Sequence, residues 1–196
     1  ILTFEEIAAV VDVFLDLGVD RVRLTGGEPL LRHDVSRLAA QLAAKPRIRD
    51  LAMTTNAVLL GQHAAALKEA GLHRVTISLD TLRRDRFVRL TRLDALHAVL
   101  AGIEAAREAG FPPPKIDTVV RRGVNDDEIA DLLAFARDLR AEIRFIEYMD
   151  VGGATRWRPE AVVSRLEILE RVAAHFGPAR HLVDRTPAPA DRYSLG

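Results

Sequence analysis

Helical segments and short β-rich runs alternate along this chain, and glycines mark the ends of several helical segments. Gly18, Gly71 and Gly110 each close a segment with helical apolar periodicity, and a β-rich run follows each within a few residues. The five β-rich runs are Arg21–Thr25, Leu51–Thr55, Arg74–Leu79, Lys115–Val120 and Glu142–Glu147. This alternation predicts right-handed βαβ units, and therefore one parallel sheet with helices packed on it.

The composition is that of a globular protein with no charge bias. Of the 196 residues 48% are apolar and 29% charged, and 28 basic residues balance 28 acidic ones. The balance gives no reason to expect nucleic acid or an acidic membrane surface as a partner. No apolar run approaches the ~20 residues that cross a bilayer, and no signal-peptide pattern is visible, so we expect a cytoplasmic location.

The chain contains no cysteine. This removes disulfides, thiol catalysis and thiolate metal sites from this stretch of sequence. Because the first residue is Ile1 rather than Met, we interpret the chain as an internal piece of a longer protein.

Polar residues recur at alternate positions of the β-rich runs, which gives each predicted strand one polar and one apolar face. They include Arg21, Arg23, Thr54, Asn56, Thr76, Ser78, Lys115, Asp117 and Arg144. Burying several charges without water would cost several kcal/mol each, so we predict a barrel whose inner wall is wet or liganded. Inward Arg and Lys favour an anionic ligand such as phosphate. The alternative is that Arg21 and Arg23 lie on an exposed edge strand.

Several side chains have the spacing of helix caps. Thr3 with Glu6, Asn125 with Glu128, and Ser164 with Glu167 each fit a capping box or resemble one, and Asp34 and Asp94 are candidate N-caps. These signals place helix starts directly before apolar-periodic segments, as the βαβ pattern requires.

Thr25-Gly26-Gly27-Glu28-Pro29 follows the first β-rich run. Two glycines let the backbone approach a ligand closely, and the adjacent carboxylate can pair with a cationic group. Alone, the segment also fits an ordinary strand-to-helix turn. Four further blocks accompany it: Thr54-Thr55-Asn56, Ile77-Ser78-Leu79-Asp80, Gly123–Glu128 and Arg144–Met149. In this order and spacing, from about Ile1 to about Phe176, they resemble the GTP 3′,8-cyclase family of radical S-adenosylmethionine (SAM) enzymes.

The resemblance implies an α/β fold, an incomplete (β/α)6 TIM-like barrel of parallel strands with outer helices. Residues 1–150 would form the partial barrel core, and residues 151–196 an extension toward a C-terminal segment. The implied activity is that of a lyase that cyclises GTP to 3′,8-cyclo-7,8-dihydro-GTP, the first step of molybdenum cofactor (molybdopterin) biosynthesis.

The resemblance also implies cofactors and partners. They are S-adenosyl-L-methionine and two [4Fe-4S] clusters whose cysteine ligands are expected outside this chain, with GTP as substrate. A downstream enzyme that forms cyclic pyranopterin would take the product. Exposed helix faces allow a homodimer.

Site residues follow from the matched motif positions. Gly27, Glu28, Ser78 and Met149 would contact SAM, Arg23, Thr54 and Lys115 would hold GTP, and Arg21 and Arg144 are further candidates for the triphosphate. No catalytic residue or metal ligand is assigned in this stretch. The alternatives are that Ser78 satisfies a neighbouring backbone group, Met149 fills the core and Lys115 lies on the surface.

Two positions depart from the family pattern. Ala57 stands where glycine is usual, and Asp117 stands where asparagine is usual. We expect Asp117 to pair with Lys115 and weaken its hold on phosphate, so Asp117→Asn should leave activity intact or raise it. Two other functions stay open. One is a radical SAM enzyme with another phosphorylated substrate, and the other is a cluster-less nucleotide-binding paralogue, which the absence of cysteine favours if the chain is complete.

Overall fold

The computed structural model describes residues 2–152, 157–183 and 190–195, and helices alternate with strands along most of them. The α-helices are α1 (Phe4–Asp16), α2 (Val35–Ala43), α3 (Leu60–Glu69), α4 (Arg84–Thr91), α5 (Leu96–Glu108), α6 (Ile129–Asp138) and α7 (Arg165–Phe176). The strands are β1 (Arg21–Leu24), β2 (Asp50–Thr55), β3 (Arg74–Ser78), β4 (Lys115–Val120), β5 (Glu142–Glu147), β6 (Arg180–Leu182) and β7 (Arg192–Ser194). Short 3₁₀ helices lie at Pro29–Leu31, Asp126–Glu128 and Pro159–Ala161. Each of the five predicted β-rich runs is a strand.

Strands β1 to β5 form one sheet, in which each neighbouring pair is parallel and the spatial order follows the sequence. Strands β1 and β5 are the two edges and do not pair with each other, so the sheet is open. In the register, Thr54 is opposite Thr76, Thr76 is opposite Lys115, and Lys115 is opposite Glu142. One row across four strands therefore consists of polar residues.

The other face of the sheet is apolar and packs against helices. Leu51, Met53, Ile77 and Ile116 are each 0% exposed. They belong to the same core cluster as Leu42 of α2, together with side chains of α3 and α5. Burying one such side chain contributes about 1.5–3 kcal/mol, so the helices cover the apolar face. The predicted separation into one apolar and one polar face is confirmed.

The capping predictions are partly right. Capping boxes form at Thr3 with Glu6 and at Ser164 with Glu167. Asp34 precedes α2 in a left-handed conformation without a side-chain cap. Asp94 pairs with Arg84 instead, and the N-cap of α5 is Ala95. The prediction for Asn125 and Glu128 is wrong as well, because both side chains are used in contacts with other segments, given below.

Beyond β5 the chain adds a smaller layer. Val120 of β4, Ile129 of α6 and Val172 of α7 share a second apolar cluster. Strands β6 and β7 pair antiparallel, which the sequence did not predict. The division near residue 150 stays a prediction. None of the helices in the described ranges combines the length and apolar character needed to cross a bilayer.

Candidate functional site

Arg23 lies on the polar face of β1 and reaches across the neighbouring strands. Its Nη1 donates to Thr54 Oγ1 at 2.8 Å and to Thr76 Oγ1 at 3.0 Å. Burial and the nearby positive charge of Arg74 lower the pKa of Arg23. Within the described residues Arg23 forms no ion pair, so its positive charge is available to an anionic ligand.

Lys115 and Arg144 share one carboxylate on the same face. Lys115 Nζ donates to Glu142 Oε1 at 3.0 Å and Oε2 at 3.2 Å, and Arg144 Nε donates to Glu142 Oε1 at 2.9 Å. Burial pushes the pKa of Glu142 upward, but the hydrogen bonds from Lys115 and Arg144 outweigh it and the pKa is lowered. The expectation that Lys115 pairs with Asp117 is wrong, because Glu142 is directly opposite Lys115 in the register.

A second ion pair on this face joins β2 to β3. Arg74 Nε donates to Asp50 Oδ1 at 2.9 Å and Arg74 Nη2 donates to Asp50 Oδ2 at 2.5 Å. The hydrogen bond from Arg74 lowers the pKa of Asp50. The sequence analysis did not single out this pair, although both residues share the strand alternation of Thr54 and Thr76.

Asp117 of β4 lies between the cations of this wall. Its Oδ1 is buried and has no hydrogen-bond partner. Burial raises the pKa of Asp117, while the charges of Arg144, Arg23 and Lys115 act in the opposite direction. The carboxylate therefore lies beside Arg23 and Arg144 without a hydrogen bond to either.

The rim beyond β1 exposes backbone. Gly26 adopts a φ of +143°, which residues with a side chain rarely adopt, and a Cβ built on Gly26 or Gly27 meets no atom within 4 Å. In the described chain the backbone groups of these two glycines form no hydrogen bond. They are therefore available to a ligand, and the contact of Gly27 with SAM stays a prediction.

Glu28 holds the rim together. Its Oε1 accepts from Leu30 N at 3.0 Å and Thr55 Oγ1 at 2.7 Å, and its Oε2 accepts from Asn56 N at 2.7 Å. Both carboxylate oxygens thus bind the protein itself. In this structure Glu28 orients the ends of β1 and β2, and the direct SAM contact stays a prediction.

Ser78 ends β3 at the same rim and is exposed. It borders a cavity of about 130 Å³, lined also by Asn56, Asp80, Thr81, Phe87, Leu90 and Thr91. Asp80 Oδ1 accepts from Val119 N at 2.8 Å. Burial raises the pKa of Asp80, partly offset by this hydrogen bond.

Asn125 and Glu128 fasten the loop after β4. Asn125 Nδ2 donates to Asp80 O at 2.7 Å and to Val119 O at 2.9 Å. Glu128 is 0% exposed and accepts from Thr81 Oγ1 at 2.6 Å. These bonds explain why neither residue caps a helix, since both side chains point to the β3 rim.

The remaining predicted residues lie at the margins. The Arg21 side chain is 80% exposed on the edge strand, near Asp20 at 3.8 Å. Arg23 is exposed on the same edge strand, so the exposed-edge alternative holds for both residues, although Arg23 also donates to Thr54 and Thr76. Met149 follows β5 and is 56% exposed, so it does not fill the core. Arg121, which continues the alternation of β4, lies over the Tyr148 ring at 5.0 Å. The alternation of polar positions, extended beyond the ends of β4 and β5, would have predicted that Arg121 and Tyr148 lie on the polar face.

The chain's own residues do not fit an iron–sulfur cluster. The sequence has no cysteine, and no group of three or more His, Asp or Glu residues in the described ranges is arranged to hold a metal ion. Thiolates are the usual ligands of such clusters, so none of the assignments here includes a cluster ligand.

Comparison with known proteins identifies the class. The sequence model of the Radical SAM superfamily matches residues 1–136, and the chain belongs to this superfamily. The structure is similar to HydG, a maturase of the [FeFe]-hydrogenase, with a TM-score of 0.66 and 16% identity over 88% of this chain and 42% of that one. The predicted fold class is confirmed. The resemblance implied six βα units, whereas the parallel sheet of the described residues contains five strands.

Two relatives within the superfamily are more specific about the family that the chain resembles. The chain is 48% identical to "GTP 3′,8-cyclase 3" of Mycobacterium bovis (strain ATCC BAA-935 / AF2122/97), over 100% of the chain and 53% of that protein. It is 52% identical to the GTP 3′,8-cyclase of Acidothermus cellulolyticus (strain ATCC 43068 / DSM 8971 / 11B), over 95% of the chain and 52% of that protein. The resemblance found in the sequence is confirmed, and the chain spans about half the length of these relatives.

Proposed function

We propose that this chain forms the barrel of a GTP 3′,8-cyclase, a radical SAM lyase that converts GTP to 3′,8-cyclo-7,8-dihydro-GTP in the first step of molybdenum cofactor biosynthesis. The observation that carries the proposal is the polar wall, where Arg23, Lys115 and Arg144 face the same side of one sheet. A triphosphate carries several negative charges, and guanidinium and ammonium groups are its usual protein partners.

The polar wall offers several cationic donors to a triphosphate. Arg23 is held by two hydroxyl groups and by no carboxylate in the described chain, so an anion can bind it without displacing an ion pair. Lys115 and Arg144 share Glu142, and the four remaining N–H donors of the Arg144 guanidinium can turn to a phosphate. Thr54 fixes the Arg23 head group and lies beside the same ligand, whereas Arg21 could meet only the outermost phosphate.

The rim of the sheet, where Gly27 and Ser78 lie, is the proposed binding site for SAM. The backbone at Gly27 would hold the amino acid part of SAM, Met149 would pack near its adenine, and Ser78 would be a further SAM contact at the end of β3. SAM bound to a reduced cluster supplies a 5′-deoxyadenosyl radical, with cluster ligands from outside this chain. Two [4Fe-4S] clusters, a cytoplasmic location, a homodimer and hand-over to an enzyme that forms cyclic pyranopterin belong to the same proposal.

The experiment uses the full-length protein, reconstituted anaerobically with iron and sulfide. With GTP, SAM and dithionite we expect 5′-deoxyadenosine and the cyclised nucleotide, both detected by mass spectrometry. Arg23→Met should raise KM for GTP by about tenfold or more, because it removes a charged donor from the wall. Arg107→Met on α5 is the matched control, since Arg107 is exposed and pairs with Glu104 on its own helix.

Two outcomes would replace the proposal. A full-length protein that binds GTP but takes up no iron would be a cluster-less nucleotide-binding paralogue. SAM cleavage that GTP does not stimulate, but another phosphorylated compound does, would identify a radical SAM enzyme with a different substrate.

A further inference from the structure

Asp117 occupies the centre of the polar wall. In the register it is opposite Ser78 of β3 and Arg144 of β5. The charged groups that act on it are Arg23 on β1, Lys115 on its own strand, and Glu142 and Arg144 on β5, and the Asp50–Arg74 pair of β2 and β3 lies beside Arg23. The two other carboxylates of the wall, Asp50 and Glu142, each accept hydrogen bonds from a cation.

Asp117 differs from those two because its buried Oδ1 accepts no hydrogen bond. A buried carboxylate oxygen without a donor is costly, and such an atom in a native site calls for a physical explanation. Arg23 and Arg144 are near enough to act on Asp117 electrostatically, yet they donate to Thr54, Thr76 and Glu142 instead. Asp117 as a whole is only partly buried, so a group that enters the barrel can reach its carboxyl group beside the buried oxygen.

A charged Asp117 conflicts with an anionic ligand at this place. Two like charges about 6 Å apart, at an effective dielectric constant of about 20, weaken binding by a factor on the order of a hundred. A neutral carboxyl group removes the repulsion, and its O–H becomes a donor to a phosphate oxygen.

We propose that Asp117 is a binding residue for the anion of this wall, and that it acts as a neutral carboxyl group that donates its O–H to a phosphate oxygen. The inference rests on the proposed function, because GTP supplies the phosphate. Binding then takes up one proton from solvent onto Asp117, and no covalent bond of the ligand changes.

The electrostatics of the free wall agree with this role. Burial already raises the pKa of Asp117, and only the nearby cations oppose it. A phosphate that neutralises Arg23 and Arg144 removes that opposition, so the pKa rises further on binding. A group that is protonated in the complex and ionised in the free protein makes affinity fall as pH rises, by up to about tenfold per pH unit.

The test measures GTP binding to the full-length protein by isothermal titration calorimetry between pH 6 and pH 8.5. The variants are Asp117→Asn, which keeps a donor without charge, Asp117→Ala, which has neither, and Asp131→Asn on the exposed face of α6, which changes net charge equally. We expect the ratio of the wild-type Kd to the Asp117→Asn Kd to increase with pH and to reach about tenfold or more at pH 8.5. Asp131→Asn should follow the wild type, and Asp117→Ala should bind more weakly than Asp117→Asn at every pH.

Proton uptake gives a second readout that needs no variant. Titrations of the wild type at pH 8.5 in buffers of different ionisation enthalpy should show uptake of about one proton with GTP and none with guanosine, which lacks the phosphates. Equal pH dependence of GTP binding in the wild type and Asp117→Asn, or no proton uptake, overturns the inference and leaves the proposed function standing. No binding of GTP by any of the proteins overturns the proposed function, and the inference with it.

Discussion

Glu128 gives the sharpest test of how the barrel rim is held together. Its carboxylate is 0% exposed. It accepts from Thr81 Oγ1 at 2.6 Å, from Leu82 N at 2.8 Å and from Arg86 Nη1, whose side chain is 12% exposed. The contact therefore joins the loop after β4 to the loop after β3 and to α4.

Glu128→Ala removes one partner of a buried ion pair and leaves the hydroxyl of Thr81 and the N–H of Leu82 without an acceptor. Breaking a buried pair in this way costs about 3–5 kcal/mol. Asp127→Ala is the matched control, because Asp127 pairs with Arg86 at 2.7 Å but its side chain is 51% exposed. An exposed pair contributes about 0–1 kcal/mol. We therefore expect the two neighbouring variants to differ by about 2–5 kcal/mol.

The assay is urea unfolding of the full-length protein followed by circular dichroism at 222 nm. Glu128→Gln keeps the shape of the side chain and one acceptor, so its free energy of unfolding should fall between those of the other two variants. If Glu128→Ala and Asp127→Ala lose the same stability, the buried carboxylate does not fasten the rim and the argument fails.

Two further predictions concern a helix contact and a cap. A Cβ on Gly102 would lie 2.5 Å from Ala57 O, so Gly102→Ala should destabilise by about 1–2 kcal/mol in chemical unfolding, although alanine favours helix. Gly61→Ala on α3, where the Cβ meets nothing, should be neutral or stabilising by about 0.5 kcal/mol, and equal losses in both would contradict the steric reasoning. Hydrogen bonds from Ser164 N and the Arg122 guanidinium lower the pKa of Glu167 to about 2, so its stabilisation is complete above the usual 4.5 and is lost as pH falls through that range. The melting temperature of Glu167→Gln should therefore approach that of the wild type as pH falls toward 2, and a constant difference would contradict this.

The strand positions were predictable because their causes are local. Glycine ends a helix within one residue, and polar–apolar alternation identifies a strand with one buried face. Thr3 and Ser164 formed the predicted capping boxes for the same reason, since a capping box involves residues only three positions apart. The Asn125 prediction failed because its amide bonds Asp80 O, 45 positions away, and sequence spacing gives no warning of such a contact.

The pairing of charges on the wall depends on strand register, which the sequence does not contain. Asp117 is near Lys115 in sequence, and on one strand the two side chains share a face. The β4–β5 register instead brings Glu142 opposite Lys115, and the shorter cross-strand approach decides the partner. Asp117 therefore does not pair with Lys115, and in the described chain its buried Oδ1 accepts no hydrogen bond. This missing hydrogen bond is the observation behind the proposed role of Asp117 in binding an anion.

The acidic residues of the rim motifs share one physical role. Glu28 joins the ends of β1 and β2, Asp80 joins β3 to β4, and Glu128 joins the loops after β3 and β4. Each carboxylate accepts from an N–H or O–H donor of a neighbouring segment, so its hydrogen-bonding capacity is used by the scaffold. What remains for ligands at the rim is the backbone of Gly26 and Gly27, with the cations below it. A site built in this way favours anionic and amino acid ligands, because its rim carboxylates are already bound while the backbone of Gly26 and Gly27 is available.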